Sequence, residues 1–442
     1  MRRLVTSRAG QSSTALRVRS LSRAAVVVVA ALASLMLASA SPDAAMATTV
    51  SGIIATDTEW VKSESPYIID GKVQIAFGAQ LTIAPGVAVR GGTLETFGRL
   101  YAEGADRDWV HFDGVKIAPG TNVSTEPFEI NLSFCLIDGC HIFEPTGYAI
   151  YGSLSIRDSA VTGTGWMYLW YPRGDCFFER NVLRESGRIT TLNDGYGTVY
   201  IRHNLFFKSG WLVENRASYG GVRTIIEGNT FTVPDDLLSR LVLRLPPGYS
   251  DAALDARGNY WDSMNADTVA ALIYDKADDL ACAGYIPIDP WLTAAAPETP
   301  GVDLTPPTIV MHGLVDGEWY SIDTVPVPSA SDPDLARLES LLDGQLWTQG
   351  DMVSEGHHTL WANAWDTSSN QASESISFGV DRTPPVTSLD TPTIAPALLL
   401  LNALDEEGGS GVAATYFRLD EGPVTSGTVV PVGTTGIHKI EY

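Results

Sequence analysis

Few stretches of this chain bring together residue types that could do chemistry. Glu214 and Arg216 stand two apart, with Arg188 and Asp194 upstream. Acids beside arginines could grip a polar substrate or move a proton. Two Asp-Asp pairs, 235–236 and 278–279, could supply the paired carboxylates that glycoside hydrolysis uses, but both sit in loop-like text. The stretch GWMYLWYPRG (165–174) puts Trp166, Tyr168 and Trp170 on one side of an extended strand and Met167 and Leu169 on the other. With Met and Leu facing the core, the three rings form a solvent-facing row suited to the apolar faces of sugars. A covering loop or a reversed register would remove that row. These three rings are the candidate ligand-binding residues, and no catalytic or metal-ligating residue is assigned. His357 and His358 point to opposite faces of a strand and do not share an ion. Asp366 with Asn370 suits a turn bonding its own backbone, with a weak Ca²⁺ site as the alternative.

What would position such residues is a repeat. VYIRHNLFFKSG (199–210) has counterparts beginning at Leu136, Ser155, Phe177, Thr224 and Leu254. Aligned on one small polar column, they read Cys140, Ser159, Asn181, Asn204, Asn229 and Asn259. Apolar residues recur three and five places before that column, the period of a strand with one face inward. Asn suits a bend because it tolerates left-handed backbone and bonds locally. One short strand per 19 to 30 residues, then a bend and another strand, describes a coil that returns to the same place each turn. Two places before the column the residues read Asp138, Arg157, Glu179, Arg202, Glu227 and Arg257. Stacking coils would set each charge beside its opposite and fix the register. Cys135 and Cys176 fall in one inward column two coils apart, beyond disulfide reach, and are read as small buried apolar residues. Cys140 is left at a bend without an assigned bond.

This pattern, over roughly Val50 to Leu292, resembles the right-handed parallel β-helix of pectate-lyase-like proteins. The early coils, with Pro85-Gly86 as a bend, and the segment GNYWDS…IPIDPWL (258–292) fit its two ends, with Trp60 as a cap and a short helix over 265–276. The resemblance implies an all-β fold. Were the chain an enzyme, it implies polysaccharide lyase or hydrolase chemistry, with Ca²⁺ bound by aspartates beside a basic residue.

The C-terminal third reads differently. DLTPP (303–307) recurs as DRTPP (381–385), LLDGQLWTQG (341–350) as RLDEGPVTSG (418–427), and GHHTLWA (356–362) as GIHKIEY (436–442). These signatures, with Gly356, His358, Leu360, Ala364, Asp366 and Asn370, resemble bacterial Ig-like surface repeats, which are β-sandwiches. The second copy stops at Tyr442, before its equivalents of Ala364, Asp366 and Asn370, and is read as incomplete. The domain reading is therefore a signal peptide (1–47), a β-helix (48–295), a linker (296–302), one Ig-like sandwich (303–380) and a second, incomplete one (381–442).

The signal peptide rests on six arginines, a run of about fifteen apolar residues and an A-x-A ending at Ala47. The run is shorter than a spanning helix needs, and no later segment is long enough, so no transmembrane segment is expected in the mature chain. Formal net charge is −23 overall and −28 without residues 1–47. Such a surface repels nucleic acid, anionic membranes and, without a cation or local basic patch, polyanionic sugars. The functional expectation is a secreted or cell-surface, non-catalytic adhesion protein. Its β-helix would bind a polysaccharide or cell-envelope component and its Ig-like repeats would form a stalk, with no cofactor. The alternative is a polysaccharide lyase or glycoside hydrolase with accessory Ig-like modules, for which Ca²⁺ is possible.

Overall fold

The computed structural model describes residues 47–120, 127–142, 152–165, 167–170, 172–207, 213–232, 241–321, 326–347, 351–390 and 397–442. From Thr48 onward short strands pair in parallel from coil to coil, forming a right-handed parallel β-helix with three faces. Face A stacks eight strands, from Thr58–Trp60 through Arg99–Glu103, Phe128–Ser133 and Cys176–Glu179 to Thr224–Glu227. Face B runs from Ala88–Arg90 through Val110–Asp113, Cys135–Asp138 and Val182–Arg184 to Thr230–Phe231. Face C runs from Thr93–Thr96 and Lys116–Pro119 to Met167–Trp170, Ile189–Asn193, Val213–Ser218, Leu243–Arg244 and Ile273–Tyr274. The long strand Tyr67–Ile75 turns the corner between faces B and C, and Thr48–Ile54 pairs with it. Trp60, on the first strand of face A, is buried in the core and stacked on Tyr67 at 4.6 Å. At the other end a helix, Ala266–Ala270, is capped by the Asn265 side chain.

The bend between faces A and B carries the repeat. Each ladder residue's side-chain oxygen accepts the backbone N–H of its counterpart one coil earlier. Ser159 receives Cys135 N at 3.1 Å, Asn181 receives Ser159, Asn204 receives Asn181, Asn229 receives Asn204 and Asn259 receives Asn229 at 2.9 Å. The amide nitrogens donate in turn to strand carbonyls such as Phe178 O and Ile201 O. All four asparagines are buried, so the ladder answers the demand that buried backbone groups be paired. Two expectations need correction here. The column's first member is Cys135, not Cys140, since Phe128–Ser133 pairs with Gly152–Arg157 on face A while Cys135–Asp138 lies on face B. Two strands of similar text follow one another within that coil, and only their pairing partners tell them apart. The left-handed backbone also belongs to the residue before the ladder: Phe134, Asp158, Arg180 and His203 all have φ between 49° and 56°.

Inward columns are continuous. Phe206, Phe231 and Trp261 stack at 4.9 and 4.7 Å on successive coils. The outward charge column is partly paired: Arg157–Glu179 at 2.9 Å and Arg202–Glu227 at 2.7 Å. Asp138 does not belong to it, because Ser133 is the register partner of Arg157, and Arg257 turns to Asp255 instead. All four cysteines are free and buried. Burial pushes the Cys140 and Cys176 thiols up to about 12. Cys135 and Cys176 do not share a column, since Cys135 sits on the ladder and Cys176 inside face A.

The described residues of 308–442 form mostly antiparallel, sandwich-like sheets in two parts that follow the two sequence copies, with Trp319–Tyr320 pairing in parallel to Gly379–Val380. In the first, Thr308–His312 pairs with Val327–Ser331, opposite a five-stranded sheet containing Leu335–Leu342, Gly356–Asp366 and Gln371–Val380, around Trp347, Leu360, Phe378 and Val380. The second copy closes a smaller core of Leu401, Phe417, Val430 and Val432. The copies share one internal clasp. His358 meets Asp343 at 2.7 Å, and His438 meets Asp420 at 2.6 Å. His357 instead lies against Trp319.

The first copy packs on face B. Trp365 and Ala336 share a buried cluster with Trp109, Leu136 and Ala160. Arg337 donates to Gly86 O and Trp109 O, both at 2.9 Å. Glu339, whose side chain is fully buried, bonds both Arg337 and Arg90. Burial works against ionisation of Glu339, but the two guanidiniums outweigh it and hold its carboxyl below the usual range. Thr299, in the segment joining the two parts, bonds Gly228 O of the β-helix at 2.6 Å.

Candidate functional site

Two outward surfaces of the β-helix concentrate polar and aromatic side chains. On face C, Met167 and Leu169 point into the core, as their alternation requires, and Tyr168 and Trp170 point outward. Trp166 lies outside the described residues. The expected row of open rings does not hold at Tyr168, which is only 7% exposed and meets Trp170 edge-on at 6.1 Å. Parallel register explains what lies beside it: Tyr168, Thr190, Glu214, Arg244 and Tyr274 form one column across five strands. Glu214 is 1% exposed and accepts from Arg216 at 2.7 Å, Arg188 at 3.0 Å and Arg244 at 3.3 Å. The structure thus brings together Arg188, Glu214 and Arg216, adds Arg244, and places Asp194 with Arg173 at 3.0 Å. Desolvation outweighs the opposing pull of the Arg216 and Arg188 guanidiniums and leaves the Tyr168 phenol above its usual range. With both its oxygens taken by guanidiniums, Glu214 is a structural anion in this arrangement.

Face A offers an open groove of ≈ 570 Å³ at its early coils. Glu59, Thr82, Tyr101 and Asn131 stand in register on four successive strands, with Gln80, Glu103 and Ser133 beside them. Glu129 orients two of these groups: Tyr101 Oη donates to it at 2.7 Å and Asn131 Nδ2 at 2.7 Å. Burial and that hydrogen bond push the Tyr101 phenol up to about 12, so it acts as a neutral donor. Asn131 retains a second N–H and a carbonyl oxygen, the donor–acceptor pair that vicinal hydroxyls match. Gln80 bonds Thr82 at 3.0 Å and accepts from Arg99 at 3.2 Å. The recurring polar column does not single these residues out, because it begins only beyond residue 134. The signal was present: the outward positions of QLTI, RLYAE and FEINLS are all polar or aromatic. Further along face A, Phe177 and Tyr200 stack at 5.3 Å and 10°, under Arg157 and Arg202. Rings stacked on each other present edges to solvent, so this pair is a poor platform for a sugar.

Acids also cluster on the antiparallel copies. Asp303, Asp332, Asp334 and Asp366 bring ligand atoms within 4.8 Å of one another, as do Glu355, Asp381 and Glu406. Asp366 accepts from Asn370 Nδ2 and the Ser368 and Asn370 N–H groups at 2.8 Å, the self-bonding turn expected of that pair. A hydrogen bond to Asp334 and burial push the Asp332 carboxyl up to about 6. Asp278 and Asp279 cap their own loop by accepting Asp275 N and Ala281 N, while Asp235 and Asp236 lie outside the described residues. No family model, curated protein or solved structure matches this chain.

Proposed function

We propose that this is a secreted or cell-surface, non-catalytic protein that binds a neutral carbohydrate of a polysaccharide or cell envelope along face A of its β-helix. The observation that carries this reading is the groove in which Thr82, Tyr101 and Asn131 stand in register on adjacent coils. Coils repeat every ~4.8 Å, a spacing comparable to one pyranose ring, so like groups can meet successive sugars of a glycan lying along the axis. An aromatic ring with oriented amides and hydroxyls is the mix that saccharides require. The basic, apolar and small-residue succession of residues 1–47 supports export. The antiparallel copies, read as Ig-like repeats, brace the β-helix through the first copy's contact with face B. Residues Tyr168 and Trp170 contribute to ligand contact only at the margin, since the polar groups beside them are engaged with one another.

A second reading, a lyase or glycoside hydrolase of the pectate-lyase-like kind, draws on Glu59 and Glu103 at the same groove. One experiment addresses both. The purified protein is incubated with plant, algal and bacterial polysaccharides, with and without Ca²⁺. Pull-down, reducing ends and unsaturated-product absorbance are followed together. Binding without new ends or absorbance is expected. Cleavage would replace the binding reading with the enzymatic one, and neither binding nor cleavage would overturn both.

A further inference from the structure

Where later coils pass from face C to face A, the corners are rich in glycine and tyrosine: NDGYG (193–197), SYGG (218–221) and PPGYS (246–250). Tyr196, Tyr219 and Tyr249 stand there on three successive coils and are 65%, 48% and 39% exposed. Among the described residues their phenols have no hydrogen-bond partner and their rings stack on no other ring. Between the first two the surface is bare backbone. Tyr196 follows Gly195 and Tyr219 precedes Gly220, and these glycines lie side by side: a Cβ on Gly220 would stand 3.8 Å from Gly195 Cα. A Cβ on Gly221 would meet nothing within 4 Å, so the space above it is open. Glycine allows the positive φ of these positions and lets a ligand approach the backbone closely. Tyr196 is also held in place. The Arg173 guanidinium lies 3.9 Å from its ring centroid and is itself fixed by Asp194 at 3.0 Å. A ring backed by a cation on one face keeps the other for a ligand, and a ring already fixed loses little freedom on binding. Exposed aromatic area with unused hydroxyls, beside a neutralised ion pair, suits an uncharged molecule that has both C–H faces and hydroxyls.

We propose that this corner is a second saccharide site, separate from the groove. The rings of Tyr196 and Tyr219 take the C–H faces of neutral sugar units over the glycine floor and their phenols bond sugar hydroxyls, with Tyr249 continuing the row on the next coil. The proposal rests on the carbohydrate reading of face A and extends it. Tyr196 leads into the face A strand Val199–Arg202, three coils beyond the last strand of the groove, Phe128–Ser133. At one coil per ~4.8 Å that is about 14 Å along the axis. A long glycan can therefore engage groove and corner together, and gains affinity from the second contact.

The test titrates the full chain with neutral tetrasaccharides of glucose, xylose, mannose and galactose, and with the polymer of whichever one binds. By calorimetry the wild-type chain should take two tetrasaccharides. The double variant Tyr196→Ala, Tyr219→Ala should take one, melt like wild type, and lose about fivefold or more in affinity for the polymer. Asn131→Ala should likewise take one tetrasaccharide. The single substitutions carry the test should the double variant melt lower. A double variant that binds as wild type does, while Asn131→Ala loses binding, would overturn the corner site and leave face A intact. Binding lost in the double variant and kept whole in Asn131→Ala would uphold the corner and overturn the face A reading. No binding of any tetrasaccharide would overturn both.

Discussion

Faces A and C are two sides of one β-helix, yet they treat polar side chains in opposite ways. On face C the carboxylate of Glu214 is buried beneath three guanidiniums and its column neighbour Thr190 is covered. On face A the carboxylate of Glu129 orients Tyr101 and Asn131, which line an open groove. A charged cluster that saturates itself contributes to the fold and offers a ligand little. A carboxylate that positions groups of unused capacity prepares a surface for binding. The difference teaches that residue type alone does not mark a site: the arginines and acids that drew notice in the sequence are the ones the protein uses internally.

That contrast can be broken by substitution. The largest effect is expected at face C, where Glu214→Ala leaves guanidiniums buried without their anion. Breaking such a cluster costs about 3–5 kcal/mol, readable as a lowered denaturation midpoint with carbohydrate binding by surviving folded protein unchanged. A midpoint within error of wild type would show that the cluster is not structural. Next is the ladder at the bend between faces A and B. Asn204→Ala strands Asn181 N and two donors or acceptors around it, at about 1–3 kcal/mol for each buried group left unpaired. Hydrogen exchange should rise first at the coils on either side, and uniform exchange would contradict the stacking account.

At face A the order of effects reverses. Tyr101→Ala should weaken glycan binding about tenfold or more, ~1.4 kcal/mol, with little change in melting, as isothermal titration would show. The smallest effect concerns the antiparallel part, which both faces lack. The Asp332 carboxyl is pushed up to about 6, against roughly 3.9 in an unfolded chain. An acid that prefers its proton when folded stabilises the fold below the unfolded value. That contribution is lost as pH rises through about 6. Thermal melts of the first copy should therefore decline modestly between pH 4 and 6, and Asp332→Asn should flatten the slope. A slope unchanged in the variant would assign the titration elsewhere.

Much of the architecture was legible because it rests on repetition. Asn181, Asn204, Asn229 and Asn259 repeat a chemical demand, a buried bend with an N–H to satisfy, and a demand that recurs is visible in text. The recurrence of LLDGQLWTQG as RLDEGPVTSG and of GHHTLWA as GIHKIEY was visible through the same logic, but the His358–Asp343 and His438–Asp420 pairings that join those stretches were not. The first coil was misaligned because Cys135 and Cys140 follow similar strands, and only pairing distinguishes face A from face B. The site was less legible for a physical reason. Tyr168 and Trp170 have the right types and parity, but exposure depends on what packs outside the coil, which period-two alternation does not encode. The packing of the first copy on face B was silent in sequence as well, since Arg337 and Glu339 read as ordinary strand charges until Arg90 and the Gly86 carbonyl come to meet them.

The most direct test of the central claim measures glycan affinity and melting temperature side by side for wild type, Tyr101→Ala, Asn131→Ala and Glu214→Gln, on whichever polysaccharide the wild-type protein retains. The account predicts that the two face A variants lose at least about tenfold in affinity and melt like wild type, while Glu214→Gln melts lower and binds as before. Affinity that survives both face A substitutions and falls with Glu214→Gln would contradict it, and would move the binding surface to face C.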